Sequence, residues 1–153
     1  MHIENTIRTL NRLIRVCRDS EDFCGAGAHR AAAPDLNAVL RHRGEEWGRL
    51  GDELQALVLL LGGEPATSAT LAARARHLAL GARRAVLGPA DATIILAWQS
   101  IERQAEARYL EAIDGYLPER IRRTVSLQAD RVIGRAGRIA GLFGQVAMGS
   151  PGH

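Results

Sequence analysis

Three glutamates, Glu21, Glu46 and Glu102, fall on the apolar seams of three different long helical segments, each near mid-segment. Carboxylates on the inner faces of a helical bundle are the ligands that hold paired iron or manganese ions. A two-metal centre takes a Glu from each of two helices and a Glu-x-x-His from each of the other two. This chain offers Glu46-x-x-Arg49 and Glu102-x-x-Ala105, and Gln128 followed by Arg131. Glu45 cannot substitute for Glu46, because one residue turns a helix by about 100°. The histidines are His2, His29, His42, His77 and His153, and none of them stands at a ligand position. The same seams carry Arg43 and Arg135. Metal ions beside two fixed guanidinium groups would repel strongly at low dielectric, and buried charges must be paired or ligated. The expectation is an interior polar layer of Glu21, Arg43, Glu46, Glu102, Gln128 and Arg135, with at least one Arg–Glu contact and no cofactor. The alternative is a weak iron or manganese site formed by the carboxylate oxygens of Glu21, Glu46 and Glu102.

Five helical segments must position these groups. They are expected at about Ile3–Ala33, Asp35–Leu61, Thr70–Leu87, Ala90–Tyr116 and Pro118–Ala147. Pro34 marks the first break, with Asp35 as N-cap. "GGEP" ends the second segment, and Pro118 suits the first turn of the fifth. Alternating three- and four-residue steps define the seams. The first runs Ile3, Ile7, Leu10, Ile14, Cys17, Glu21, Cys24, Ala28, Ala31. The second runs Leu36, Val39, Arg43, Glu46 or Trp47, Leu50, Leu54, Leu57, Leu61. The fourth runs Ile95, Trp98, Glu102, Ala105, Tyr109, Ala112, Tyr116, and the fifth Ile121, Val125, Gln128, Val132, Arg135, Ile139, Leu142, Val146. Glu21 lies 13 residues before Pro34 and Glu46 lies 12 after it, so antiparallel helices bring them to one height. Trp98, Tyr109 and Trp47 read as core rather than as a cofactor pocket.

The first two segments are joined tightly, as are the last two, and residues 62–89 are long enough to travel back along a bundle. Short link, long crossover, short link is a ferritin-like arrangement. The expected fold is therefore all-α, a ferritin-like four-helix bundle with a helical crossover between helices two and four. One domain is expected over residues 1–147, with residues 148–153 as a disordered tail. Gly44, Gly48 and Gly51 form a stripe placed opposite the core face of segment two, and Gly134, Gly137, Gly141 and Gly144 do the same on segment five. Such stripes suit a close backbone neighbour, either the crossover or a second subunit in a homo-oligomer, and drift in an Ala/Gly/Arg-rich sequence is an equal explanation.

The chain has 153 residues, only 4% aromatic, and a net charge of +3 spread along its length. No stretch approaches the roughly 18 apolar residues of a membrane span, and the N-terminal residues are polar and periodic, unlike a secretory signal. A cytoplasmic location is the default expectation. Cys17 and Cys24 would lie about 10.5 Å apart on one helix, beyond the roughly 7 Å a disulfide spans, so both are expected reduced and buried. Arg74, Arg76, Arg83 and Arg84 on the crossover read as a solvated face. Without aromatic residues for base stacking they do not point to nucleic acid. No Ser-His-Asp set, phosphate loop or zinc spacing is present.

The stretches "TLNRLIRVCRDSED", "ELQALVLLLGGEP", "RHLALGARRAVLG", and "EARYLEAI" followed by "LPERIRRTVSLQ" resemble a bacterial ferritin-like four-helix-bundle family of unknown function. The resemblance covers nearly the whole chain and implies the bundle fold. The family's acidic cluster is retained at Glu102, while Gln99 stands where a carboxylate is common. Ala136 and Gly137 stand where such proteins often carry a His-Asp pair. The reading is a non-enzymatic bundle protein, structural or stress-related, in which a Glu/Arg/Gln layer replaces a di-iron site. The alternative is a carboxylate-based iron- or manganese-binding protein.

Overall fold

The structure, a computed structural model, describes residues 2–67 and 90–147. Five helices are present among them: α1 (His2–Arg30), α2 (Pro34–Leu60), α3 (Ala90–Asp114), α4 (Glu119–Val132) and α5 (Arg135–Ala147). The described residues are all-α, with no strand. The expected segment at Thr70–Leu87, with its arginines and His77, lies outside the described residues, as does the tail at 148–153. Among the described helices none is long and apolar enough to cross a membrane.

Local chemistry sets the helix ends. α1 carries Glu4 in its first turn and His29 and Arg30 in its last, both favourable to the helix dipole. α2 begins one residue before the expected cap: Ala33 is the N-cap and Pro34 the first helical residue, where a missing N–H costs nothing. α2 stops at a Schellman turn. The Gly63 N–H donates to Val58 O and the Gly62 N–H to Leu59 O, and Gly62 takes φ +81°. α4 and α5, expected as one helix, are broken at Ile133 and Gly134. Ile133 is extended and Gly134 takes φ +85°, a conformation that glycine adopts without strain.

Two polar clamps fix the directions of the helices. The Asn11 side chain donates to Glu64 O and accepts from the Ala66 N–H, at 3.0 and 2.8 Å. The Asp91 carboxylate accepts from the backbone N–H groups of Ala32 and Ala33, at 2.8 and 2.9 Å. The chain therefore leaves α2 beside the early turns of α1 and enters α3 beside the last turn of α1. From Asn11 to its end at Arg30, α1 rises about 28 Å. Consequently α2 and α3 run parallel to each other and antiparallel to α1.

The core is one continuous cluster built on Leu10, Ile14, Cys17 and Cys24 of α1, Leu40, Trp47, Leu50 and Leu54 of α2, Ile95, Trp98 and Tyr109 of α3, and Val125 and Val132 of α4. Most seam residues are buried, but Ile3, Tyr116 and Leu142 are exposed. Ile3 is in the first turn, Tyr116 lies past the end of α3, and the break at Gly134 rotates α5. After that break Ala136 and Ile139 face inward and Leu142 does not. The glycine stripe of α2 is also placed differently from expectation. Gly44, Gly48 and Gly51 are buried and face α1. A Cβ on Gly44 would come within 3.2 Å of Cys24 Cβ, and those on Gly48 and Gly51 would meet Glu21 and Arg18. The neighbour that requires the small residues is α1 itself. Gly137 and Gly141 of α5 have open space at the same position.

Candidate functional site

The polar residues of the interior divide into two layers. Leu50 lies seven residues beyond Arg43 on α2, and Tyr109 seven beyond Glu102 on α3. Two helical turns, about 10.5 Å, separate the layers.

The upper layer is centred on Glu102, which is 0% exposed. Arg43 grips its carboxylate with both edges of a fork: Nε donates to Oε1 at 2.8 Å and Nη2 to Oε2 at 3.0 Å. Two indoles complete the shell. Trp98 Nε1 and Trp47 Nε1 donate to Glu102 Oε1 at 3.1 and 3.3 Å. The Arg43 guanidinium also lies 4.6 Å from the centre of the Trp47 ring, a cation–π distance. Its third nitrogen, Nη1, donates to Glu46 Oε1 at 2.5 Å. Arg135, in the first turn of α5, reaches the same oxygen at 3.4 Å and donates to Arg131 O. Burial alone would lower the Arg43 pKa, but the hydrogen bond and charge of Glu102, aided by Glu46, hold it above its ordinary value. Burial, with the nearby Arg43 charge, lowers that of Arg135. The box thus holds two cations and two anions.

The lower layer is neutral at its centre. Tyr109 Oη donates to Gln128 Oε1 at 2.7 Å, which leaves Cys17 Sγ, 3.4 Å away, to donate to the phenol. Gln128 Nε2 donates to Leu50 O and Glu53 Oε1 at 3.2 and 3.3 Å. One hydrogen-bond chain therefore joins α1, α3, α4 and α2. Burial pushes the Cys17 thiol from 9.0 up to about 12 and raises Tyr109 and Cys24 as well. Both cysteines are free and buried. Iodoacetamide at about pH 8 is expected to leave both untouched in the folded chain and to label both in urea, because the thiolate is the nucleophile. The sign of the pH effect follows. A raised pKa means the folded state binds the proton more tightly, so the Cys17 contribution is complete below 9.0 and is lost as pH climbs towards about 12. Alkaline urea melts should show stability falling across that window, and a Cys17→Ala variant should flatten the slope.

Of the expected layer, the structure brings Arg43, Glu46, Glu102 and Arg135 together. It places Gln128 in the lower layer and Glu21 in neither. Glu21 sits at the α1–α2 edge with its side chain 40% exposed, paired to Arg18 at 3.2 Å. The inward step from Cys17 goes to Ser20, which is buried, not to Glu21. A charged side chain at that edge keeps its water, and the smaller Ser20 fits the interior. Arg18, absent from the expected set, clamps α1 to α2. It donates to Gly48 O, Asp52 Oδ1 and Gln55 Oε1 at 3.3, 2.8 and 3.1 Å as well as to Glu21. The i,i+3 pairing with Glu21 and the small Gly48 and Gly51 opposite were the available signals.

The described residues do not fit a two-metal centre. Both oxygens of Glu102 already accept a guanidinium, and Glu46 accepts from two. Glu21 is not among them, and the position three residues beyond Glu46 is the exposed Arg49. Among the described residues no group of three or more His, Cys, Asp or Glu is placed to hold a metal ion.

The chain matches no curated protein. A family model described as a domain of unknown function, DUF2383, matches residues 5–115. That span contains Arg43, Glu46, Trp47, Trp98 and Glu102, and it stops before Gln128 and Arg135. Since the match extends over more than half of the chain, the protein belongs to the DUF2383 family of domains of unknown function.

Proposed function

We propose that this is a non-enzymatic, ferritin-like helical-bundle protein of the cytoplasm, structural or stress-related, whose interior ion-pair box stands in place of a di-iron site. The parallel run of α2 and α3, with residues 62–89 linking opposite ends of the bundle, supports a ferritin-like topology with a long crossover. The bidentate grip of Arg43 on Glu102 carries the functional reading. A guanidinium is permanently charged and supplies inside the bundle the positive charge that a metal would otherwise bring.

The test is direct. The untagged chain is loaded anaerobically with ferrous iron, oxygen is admitted, and iron per chain is measured together with the oxidation rate. Oxidation no faster than in a protein-free control, with no tightly held pair of irons, is expected. Two tightly held irons per chain with fast oxidation would overturn the proposal and move the protein to the carboxylate-metal class.

A further inference from the structure

The outer groove between α1 and α3 is separate from both interior layers. It has a volume of about 190 Å³ and is walled by Arg12 and Leu13 of α1, by Arg108, Glu111 and Ala112 of α3, and by Tyr116 beyond it. A cavity of about 150 Å³ accommodates a benzene ring, so one ring with a small substituent fits.

The groove carries one surplus positive charge. Arg108, on the α3 wall, spends its Nη1 on Glu111, at 2.9 and 3.1 Å to the two carboxylate oxygens, so that pair is neutral. Arg12 is exposed and forms no ion pair among the described residues. The C-terminal end of α3 would repel an anion, but Arg122 covers part of it, donating to Ile113 O and, just beyond the helix, to Gly115 O at 2.6 Å each. The N-terminal end of α1, the positive end of its dipole, lies at the same end of the bundle. At the mouth stands Tyr116, 65% exposed, with the His2 ring tilted against it at 5.1 Å between ring centres. Tyr116 is an aromatic face with no place in the core.

We propose that this groove binds a small planar anion, an aromatic carboxylate or aromatic phosphate, with Arg12 as the counter-ion and Tyr116 as the stacking wall. Arg12 supplies the forked donor that suits either group, and the exposed Tyr116 ring receives the aromatic face.

Titration of the full chain with benzoate, phenyl phosphate, benzyl alcohol and inorganic phosphate, followed by ligand-observed NMR, tests this. Benzoate and phenyl phosphate should bind saturably in the millimolar range usual for so few atoms. Benzyl alcohol and inorganic phosphate should bind at least about tenfold more weakly. The tighter of the two aromatic anions identifies the acidic group. Arg12→Gln should weaken both by about tenfold or more, Tyr116→Ala should erase the advantage of phenyl phosphate over inorganic phosphate, and Arg15→Gln should change neither. In the unaltered chain, benzoate should shift the Leu13 methyl and Tyr116 ring signals. Absence of saturable binding, an equal loss in Arg15→Gln, or inorganic phosphate bound as tightly as phenyl phosphate would overturn the proposal.

Discussion

Arg43→Ala is expected to lower the unfolding free energy by about 3–5 kcal/mol, the usual cost of removing one partner from a buried ion pair. Glu102 is 0% exposed and has no water to replace the guanidinium. Its remaining donors would be two indole N–H groups at 3.1 and 3.3 Å. They are neutral and both directed at one oxygen, so the second oxygen would be left bare in a low-dielectric interior. The loss should be read from urea midpoints at constant slope. Because much of it is the penalty of a stranded charge, removing the charge should restore it. Arg43→Met combined with Glu102→Leu should recover most of the stability, since apolar replacement of both partners is often neutral. Glu21→Ala gives the contrast. Its side chain is 40% exposed, so the loss of its pair with Arg18 should cost less than about 1 kcal/mol. An Arg43→Ala loss as small as that of Glu21→Ala would show that the box is open to water.

The sequence carries the fold more plainly than the site, and the reason lies in what periodicity measures. The seams of α2 and α3 could be read because Trp47, Leu50, Leu54, Trp98 and Ala105 recur at three and four residues, and burial of one stripe enforces that recurrence. The position of Glu21 could not be found this way. Ser20 and Glu21 both continue the rhythm from Cys17, and the choice between them depends on how α1 rolls on α2. That roll is set by Gly44, Gly48 and Gly51, which let α1 approach closely. A pattern scan sees those glycines as weak helix formers rather than as a contact surface.

The split into two layers was legible in counts along the chain. Glu102 lies 16 residues before Pro118 and Gln128 only 10 after it, so an antiparallel pair cannot hold them at one height. The residue level with Gln128 is Tyr109, nine before Pro118, and the residue level with Glu102 is Arg135, 17 after. Those are the neighbourhoods the structure shows. The break at Gly134 was hidden for a different reason. A glycine costs a continuing helix about 1 kcal/mol but takes a positive φ without strain, so its type alone does not reveal which occurs. The inward turn of Ala136 beside the half-buried Arg135 became visible only with the backbone.

The second large effect belongs to the lower layer. Tyr109→Ala is expected to destabilise the fold by about 3–5 kcal/mol, as truncation of a buried aromatic ring to alanine usually does. Tyr109 is completely buried and lies between Cys17 on α1 and Gln128 on α4. Tyr109→Phe separates the ring from its hydroxyl. It keeps the volume but leaves Gln128 Oε1 with no donor and Cys17 with no acceptor, and a stranded buried acceptor costs about 1–3 kcal/mol. The Gln128 amide cannot simply turn over, because its Nε2 is held by Leu50 O and Glu53. The coupling can be isolated with Gln128→Leu and the double variant: if the phenol and the amide act as one chain, their losses will be less than additive. Additive losses would mean that each group is satisfied separately. A Tyr109→Phe variant as stable as the parent would mean that ring packing alone sets the alignment of the four helices at this level. A hydrogen bond aligns its partners more narrowly than an apolar contact, since it weakens steeply below about 120°. Loss of the hydroxyl should therefore also broaden the NMR signals of residues around Leu50 and Val125, by allowing α2 and α4 to sample more than one register.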